Sequence, residues 1–341
     1  MKKKILLMGR SGSGKTSMRA LVFSAYRAAD TDRLGQTLDV EHSHVRFLGN
    51  LVLNLWDCGG QQSYMDNYLD SQRHQVFSAV GVLIYVFDLV GEDSEEWDKD
   101  VRSYKECLSA LQDNSPDAHV FCLLHKMDLV DASRRRSVYA SRVEELRRKS
   151  EGTQINCFAT SIWDETIYKA WSKIIHTLIP NVTDLERRLD YFARANGAKE
   201  VVIFERTTFL VISKSTERSN DLSKSEQERQ IEMKMEEEGY PPADSTATVA
   251  IDESGLYPGR FGKISQLIKG LRLACSKLQS QFQAIEMRTN AFSAYLDILT
   301  PNTYIMVITA DPKIELSAIK LNTQLVRDHF EHLPALNISG R

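Results

Sequence analysis

Residues Gly9-Arg10-Ser11-Gly12-Ser13-Gly14-Lys15-Thr16 fit the pattern G-x-x-x-x-G-K-[ST] without a misfit. The apolar run Lys4-Ile5-Leu6-Leu7-Met8 precedes them and reads as a strand, and Ser17 to Ala29 reads as a helix. A strand that turns sharply into a helix aims several backbone N–H groups and the positive helix end at one point, which suits phosphate. Glycines let the backbone approach, Lys15 reaches the outer phosphates, and the Thr16 hydroxyl suits Mg²⁺. Arg10, Ser11, Gly12, Ser13, Gly14, Lys15, Thr16 and Ser17 are therefore the candidate phosphate contacts of a nucleoside triphosphate.

Outward from this loop, strand-like runs at Ile5–Met8, Val45–Leu48, Leu51–Trp56, Val82–Phe87, Val120–Leu124 and Ile155–Thr160 alternate with helical patterns. Those helices are expected over Glu95–Leu111, Arg134–Arg148 and Asp164–Leu178. Near-continuous apolar strands alternating with helices predict an α/β fold with a mostly parallel, doubly wound sheet. Gly49-Asn50 between two strand runs signals a hairpin, hence one antiparallel edge strand.

After Pro180-Asn181 the pattern changes to a smaller α+β unit. Hairpins are expected at Val201–Phe204 with Phe209–Ser213, and at Ala291–Leu299 with Tyr304–Thr309. Apolar residues from Phe261 through Phe282 and Ile285 fall at helical spacing, and a last helix is expected over Ser317–Leu333. The expected division is residues 1–180 and residues 181–341. Within the second, 214–260 carries 6 basic and 11 acidic residues with few large apolar ones, and reads as a disordered acidic insertion.

At 341 residues two domains are expected. Forty-three basic residues against 46 acidic leave no electrostatic footprint for nucleic acid. Five scattered cysteines without a C-x-x-C pair read as reduced thiols of a cytosolic protein. The longest uncharged stretch, Gln75 to Phe87, is shorter than the ~20 residues a membrane span needs. Lys2 and the final Asn337-Ile338-Ser339-Gly340-Arg341 offer no lipidation signal, so membrane presence is expected through a partner and not by direct insertion.

Asp57-Cys58-Gly59-Gly60-Gln61 follows a strand and fits D-x-x-G-Q. Asp57 can hold Mg²⁺ through water, the Gly60 N–H can meet a γ-phosphate, and the Gln61 amide can orient an attacking water as the catalytic group. In Ras-like GTPases the segment matching His125-Lys126-Met127-Asp128 is Asn-Lys-x-Asp. By that likeness Asp128 accepts from guanine N1–H and the amino group, and the Lys126 stem covers the ring. His125 stands in place of asparagine. Ser161 and Ile162, after Thr160, match the loop whose backbone meets the base, and Thr37 matches the switch threonine that binds Mg²⁺.

Taken together, the phosphate loop, Thr37 to Phe47, Asn54 to Gln61, His125 to Asp128 and Thr160 to Glu165 resemble the Rag GTPases of the RagA/RagB type. His125 is expected in that pattern. The likeness is dense over Lys2 to about Pro180 and looser beyond, and it leaves out 214–260. It implies a P-loop GTPase domain followed by a roadblock-like domain, with GTP or GDP and Mg²⁺ bound, Mg²⁺ by Thr16, Thr37 and Asp57. It further implies pairing with a RagC/RagD-type subunit through the C-terminal domain. A lipidated scaffold complex would hold the pair on the vacuolar or lysosomal membrane, and the GTP form would recruit the target-of-rapamycin kinase complex in response to amino acids.

Ser11 occupies a loop position that is often glycine in Ras-like proteins, where a side chain crowds the space between Gln61 and an incoming arginine. Slow unaided hydrolysis and dependence on an activating complex are expected. Two other classes remain open: a phosphoryl transferase acting on a small molecule, for which no arginine lid is seen, and a pseudo-GTPase holding nucleotide permanently. His42 and His44 read as ordinary strand residues, and Arg134-Arg135-Arg136 as a solvated helix face.

Overall fold

The computed structural model describes residues 2–24, 26–35, 37, 40–48, 51–89, 94–179, 182–215 and 260–332. Strand β1 (Lys2–Met8) lies inside a six-stranded sheet with β2 (Val40–Leu48), β3 (Leu51–Cys58), β4 (Val80–Asp88), β5 (His119–His125) and β6 (Ile155–Thr160). Its order is β2-β3-β1-β4-β5-β6, parallel except for β2, which runs antiparallel to β3 with Val40 opposite Cys58. This is the expected doubly wound sheet with one antiparallel edge. The Gly49-Asn50 turn lies outside the described residues.

Both faces of this sheet are covered, which explains the unbroken apolar run of β1. Ile5 and Leu7 point into one cluster with Leu55, Ile84 and Phe121, while Leu6 and Met8 point into another with Leu83, Phe87 and Leu124. The first face is packed by α1 (Lys15–Phe23) and α6 (Thr166–His176). Helices α2 (Gln62–Leu69), α3 (Arg73–Phe77), α4 (Ser94–Asn114) and α5 (Arg135–Lys149) follow the strands in turn, with Met65, Phe77, Tyr104 and Leu146 in the second cluster.

The second sheet, β8-β7-β11-β10-β9, is antiparallel throughout. Its strands are β7 (Glu200–Glu205), β8 (Val211–Lys214), β9 (Ile285–Arg288), β10 (Ser293–Thr300) and β11 (Thr303–Thr309). Helix α8 (Arg260–Lys277) covers one face through Ile268. Helices α7 (Val182–Ala195) and α9 (Leu316–Glu331) cover the other, with Leu189, Phe192, Ile319 and Phe330 against Ile203 and Val307. A five-stranded antiparallel sheet between helices fits a roadblock-like domain. The expected insertion falls almost wholly on residues outside those described; where α8 begins, buried Arg260 pairs with buried Glu200 at 2.9 Å.

Several local expectations need correction. The first helix ends at Phe23 rather than Ala29, because Lys269 of α8 donates to the Leu21 and Val22 carbonyls at 3.1 and 2.7 Å, and Ser24 is extended. Helix α8 stops at Lys277, short of Phe282 and Ile285. Gln279 takes a left-handed φ of 55° and the Ser280 N–H returns to the Cys275 carbonyl at 2.9 Å, a closed helix end. Phe282 then packs on Tyr304 and Ile285 opens β9. Helices α2, α3 and α7 are additions to the sequence reading. The signal for α7 was present, since Val182, Leu185, Leu189, Phe192 and Ala193 keep helical spacing on its buried face.

One cluster is continuous across both sheets, running from Ile5 through α6 to Ile203 and Tyr295. Trp171 sits at its waist, fully buried and edge-on to Phe23 at 4.8 Å. Trp171→Ala is expected to cost about 3–5 kcal/mol of folding free energy, read by denaturant unfolding.

Candidate functional site

The phosphate loop turns from β1 into α1 as its glycines allow. Gly14, at φ +93°, precedes the first helical residue, and a Cβ there would lie 2.7 Å from the His125 ring. Among the described residues no side chain caps the helix, and its first turn holds no acidic residue, so the leading N–H groups face the loop. Lys15 is buried, with its Nζ donating to the Gly9 and Arg10 carbonyls at 2.8 Å each and standing 3.4 Å from Ser13 Oγ. Burial pulls its ammonium down to about 8, against the opposing field of Asp57.

The three residues expected at the metal meet at one corner. Thr16 Oγ1 and Thr37 Oγ1 are 2.6 Å apart, and the Thr16 hydroxyl donates to Asp57 Oδ2 at 3.0 Å. Asp57 is fully buried, and burial raises its carboxyl pKa while Arg19 and Lys15 oppose the rise. Its Oδ1 is buried without a hydrogen-bond partner among the described residues. Two hydroxyls and a buried carboxylate with one orphaned oxygen form a hard oxygen donor set that fits Mg²⁺ and its waters.

Gly60 lies directly on the phosphate loop. Its carbonyl accepts from the Ser11 N–H at 2.8 Å, and a Cβ there would fall 2.3 Å from the Arg10 carbonyl carbon. Gln61 begins the turn into α2, and with Ser11, Tyr85 and Asp100 it lines a cavity of about 240 Å³. The Ser11 side chain therefore borders open space beside Gln61. Tyr85 donates to buried Asp100 at 2.8 Å, and burial lifts the Asp100 carboxyl to about 6.

The residues expected at the base also come together. His125 is buried at the end of β5, with Nδ1 2.9 Å from Thr160 Oγ1 and its opposite ring edge against Gly14, so it ties the phosphate loop to the Ser161 loop. Lys126 has a left-handed φ of 63° and donates to Asp88 at 2.8 Å, and Arg10 pairs with the same carboxylate at 3.2 Å. Asp128 stands half-buried in the short turn Met127–Leu129. Ser161 is buried, its N–H bonded to Thr166 Oγ1, and Ile162 packs against the core.

Burial holds the His125 imidazole at about 4, against an ordinary value of 6.5. A folded value below the unfolded one means that the unfolded chain takes up the proton first. Its contribution is full above about 6.5 and falls away as pH drops through about 4. Unfolding curves of His125→Asn between pH 7 and 4 should show a shallower loss of stability than the parent.

Three residues joined the site that motif reading did not single out. Asp88 links Arg10 to Lys126; its signal was a lone carboxylate closing an apolar strand. Arg135 corrects the solvated-face reading of Arg134-Arg135-Arg136: it donates to the Asp128 and Val130 carbonyls at 3.1 and 3.0 Å and so fixes the turn that carries Asp128. Arg19 donates to Asp57 from within α1. His42 stacks edge-on to Trp56 at 4.2 Å as a strand residue.

The model of the Gtr1/RagA G protein conserved region matches residues 4–268. The Ras-related GTP-binding protein A of Dictyostelium discoideum is 50% identical over 331 residues, covering 97% of each chain. The GTP-binding protein gtr1 of Schizosaccharomyces pombe is 49% identical over 97% of this chain and 96% of its own. A weaker likeness, 29% identical over 61% of this chain and 60% of its own, reaches the GTP-binding protein GTR2 of Saccharomyces cerevisiae.

Proposed function

Since the chain belongs to the Gtr1/RagA family of G proteins, we propose that it is a guanine-nucleotide switch that binds GTP and hydrolyses it slowly. The observation that carries this reading is the meeting of Thr16, Thr37 and Asp57 beside an uncapped helix start and a buried lysine. Arg10 to Ser17 cradle the phosphates through backbone N–H groups, and Lys15 turns its ammonium to the outer ones. Thr16, Thr37 and Asp57 would hold Mg²⁺, which would supply positive charge to the phosphate oxygens. Gln61 orients water in the cavity beside Ser11, and Gly60 and Thr37 carry the state of the γ-phosphate into their loops. Asp128, Lys126, Ser161 and Ile162 hold guanine, with His125 bracing both loops.

Residues 1–180 act as the nucleotide unit and residues 181–341 as the pairing unit of a RagA-type subunit. Its partner is a RagC/RagD-type chain, a reading supported by the likeness to GTR2 and by the exposed apolar side chains Leu273 and Leu278 of the second unit. No described helix is long and apolar enough to cross a membrane. A lipidated scaffold complex then carries the pair to the vacuolar or lysosomal surface, where the GTP form signals amino-acid sufficiency to the target-of-rapamycin kinase complex and an activating complex ends the signal.

Calorimetry of the full chain with Mg²⁺ tests the core of this reading. GTP is expected to bind far more tightly than ATP, and Thr16→Asn to weaken Mg²⁺-dependent GTP binding. Equal uptake of both nucleotides would overturn it.

A further inference from the structure

Arg19 stands one helical turn past Lys15, on the side of α1 that faces β2 and β3. Its Nε donates to Asp57 Oδ2 at 2.9 Å, one guanidinium nitrogen to Ser43 Oγ at 3.0 Å, and the other to Glu41 Oε2 at 2.6 Å. Asp57 has no solvent exposure, and an unpaired buried carboxylate is costly. Lys15 does not meet that need by contact, since its ammonium is taken by Gly9, Arg10 and Ser13. Among the described residues Arg19 is the cation hydrogen-bonded to Asp57.

We propose that Arg19 is a positioning residue that serves as the internal counter-ion of Asp57. It holds the Thr16–Thr37–Asp57 corner together when Mg²⁺ is absent and opposes Mg²⁺ binding there by like charge. The inference rests on the reading of this corner as the Mg²⁺ site. Asp57 Oδ2 already accepts from both Thr16 and Arg19, so the orphaned Oδ1 is the oxygen left for the metal's water. Glu41, about half exposed, shares the guanidinium and tempers its field at Asp57. Ser43 and Glu41 are on the strand that follows Thr37, so the same side chain ties that strand to β3. A metal-free chain then keeps the corner folded and ready, and nucleotide release does not expose a bare buried charge.

The test compares full-length parent, Arg19→Gln and Arg19→Lys in two measurements. In excess chelator, Arg19→Gln is expected to lower the melting temperature by about 5 °C or more, with a clearly smaller drop in Mg²⁺ and GDP. The Mg²⁺ concentration that half-retains a fluorescent GDP is expected to fall about tenfold or more in Arg19→Gln, and to stay near parental in Arg19→Lys. Equal melting losses with and without Mg²⁺, or an unchanged Mg²⁺ midpoint in Arg19→Gln, would overturn the counter-ion role. Should Arg19→Gln not fold, Glu41→Gln carries the test. It leaves Arg19 more fully to Asp57, so the Mg²⁺ midpoint should rise, and an unchanged or lower midpoint refutes the proposal. If parent protein retains GDP equally with and without Mg²⁺, the metal-site reading itself fails.

Discussion

Asp128→Ala is expected to cut the preference of the full chain for GTP over ATP by about 10⁴-fold, nearly all of it through weaker GTP binding. On the proposed reading Asp128 accepts two hydrogen bonds from guanine, and adenine is rejected because the carboxylate is then left without donors. The turn that carries Asp128 is held from behind by Arg135, whose guanidinium binds the Asp128 and Val130 carbonyls. Removing the carboxylate therefore leaves the loop in place, and the loss measures base recognition. Competition calorimetry with GTP and ATP reads it. A variant that kept the parental preference would show that discrimination lies elsewhere, and Arg135→Ala would then be the next residue to replace.

Gln61→Leu is expected to lower hydrolysis in the presence of an activating complex by about 10³-fold or more, with GTP affinity changed only a few-fold. The Gln61 side chain borders the same cavity as Ser11, next to the glycine whose carbonyl binds the Ser11 N–H. An amide there positions water, and an isobutyl group of similar size cannot. In such enzymes the activating arginine supplies about 10³–10⁵-fold, and that gain needs the water already in line. Single-turnover release of γ-phosphate measures the effect. Fast cleavage by the isolated parent chain would contradict the slow unaided rate, and fast activated cleavage by Gln61→Leu would remove Gln61 from the mechanism.

The strand-turn-helix geometry of residues 9–16 was legible because it is carried by one contiguous stretch of backbone, where glycines, lysine and threonine act on their immediate neighbours. The placement of Asp57 and Gln61 beside that loop was legible for a related reason: each lies in a short segment at a strand end, and parallel sheets bring those ends to one side. Arg134-Arg135-Arg136 misled in part, since three adjacent arginines give no hint which one turns back to two carbonyls. Helix α8 misled too. Its apolar spacing continues past Lys277, but the left-handed Gln279 ends it and sends Phe282 to Tyr304.

Local pattern alone was enough to specify a glycine-rich strand-turn-helix, an alternating α/β unit and an antiparallel unit after it, because each depends on residues close together in the chain. Folding in three dimensions settled which side chains share a charge. Arg19 reaches Glu41, Ser43 and Asp57, and Asp88 joins Arg10 to Lys126, only because sheet order and register bring residues far apart in sequence within about 3 Å. Such pairings leave no periodicity behind, and their energy appears only once burial removes the water that would otherwise screen them.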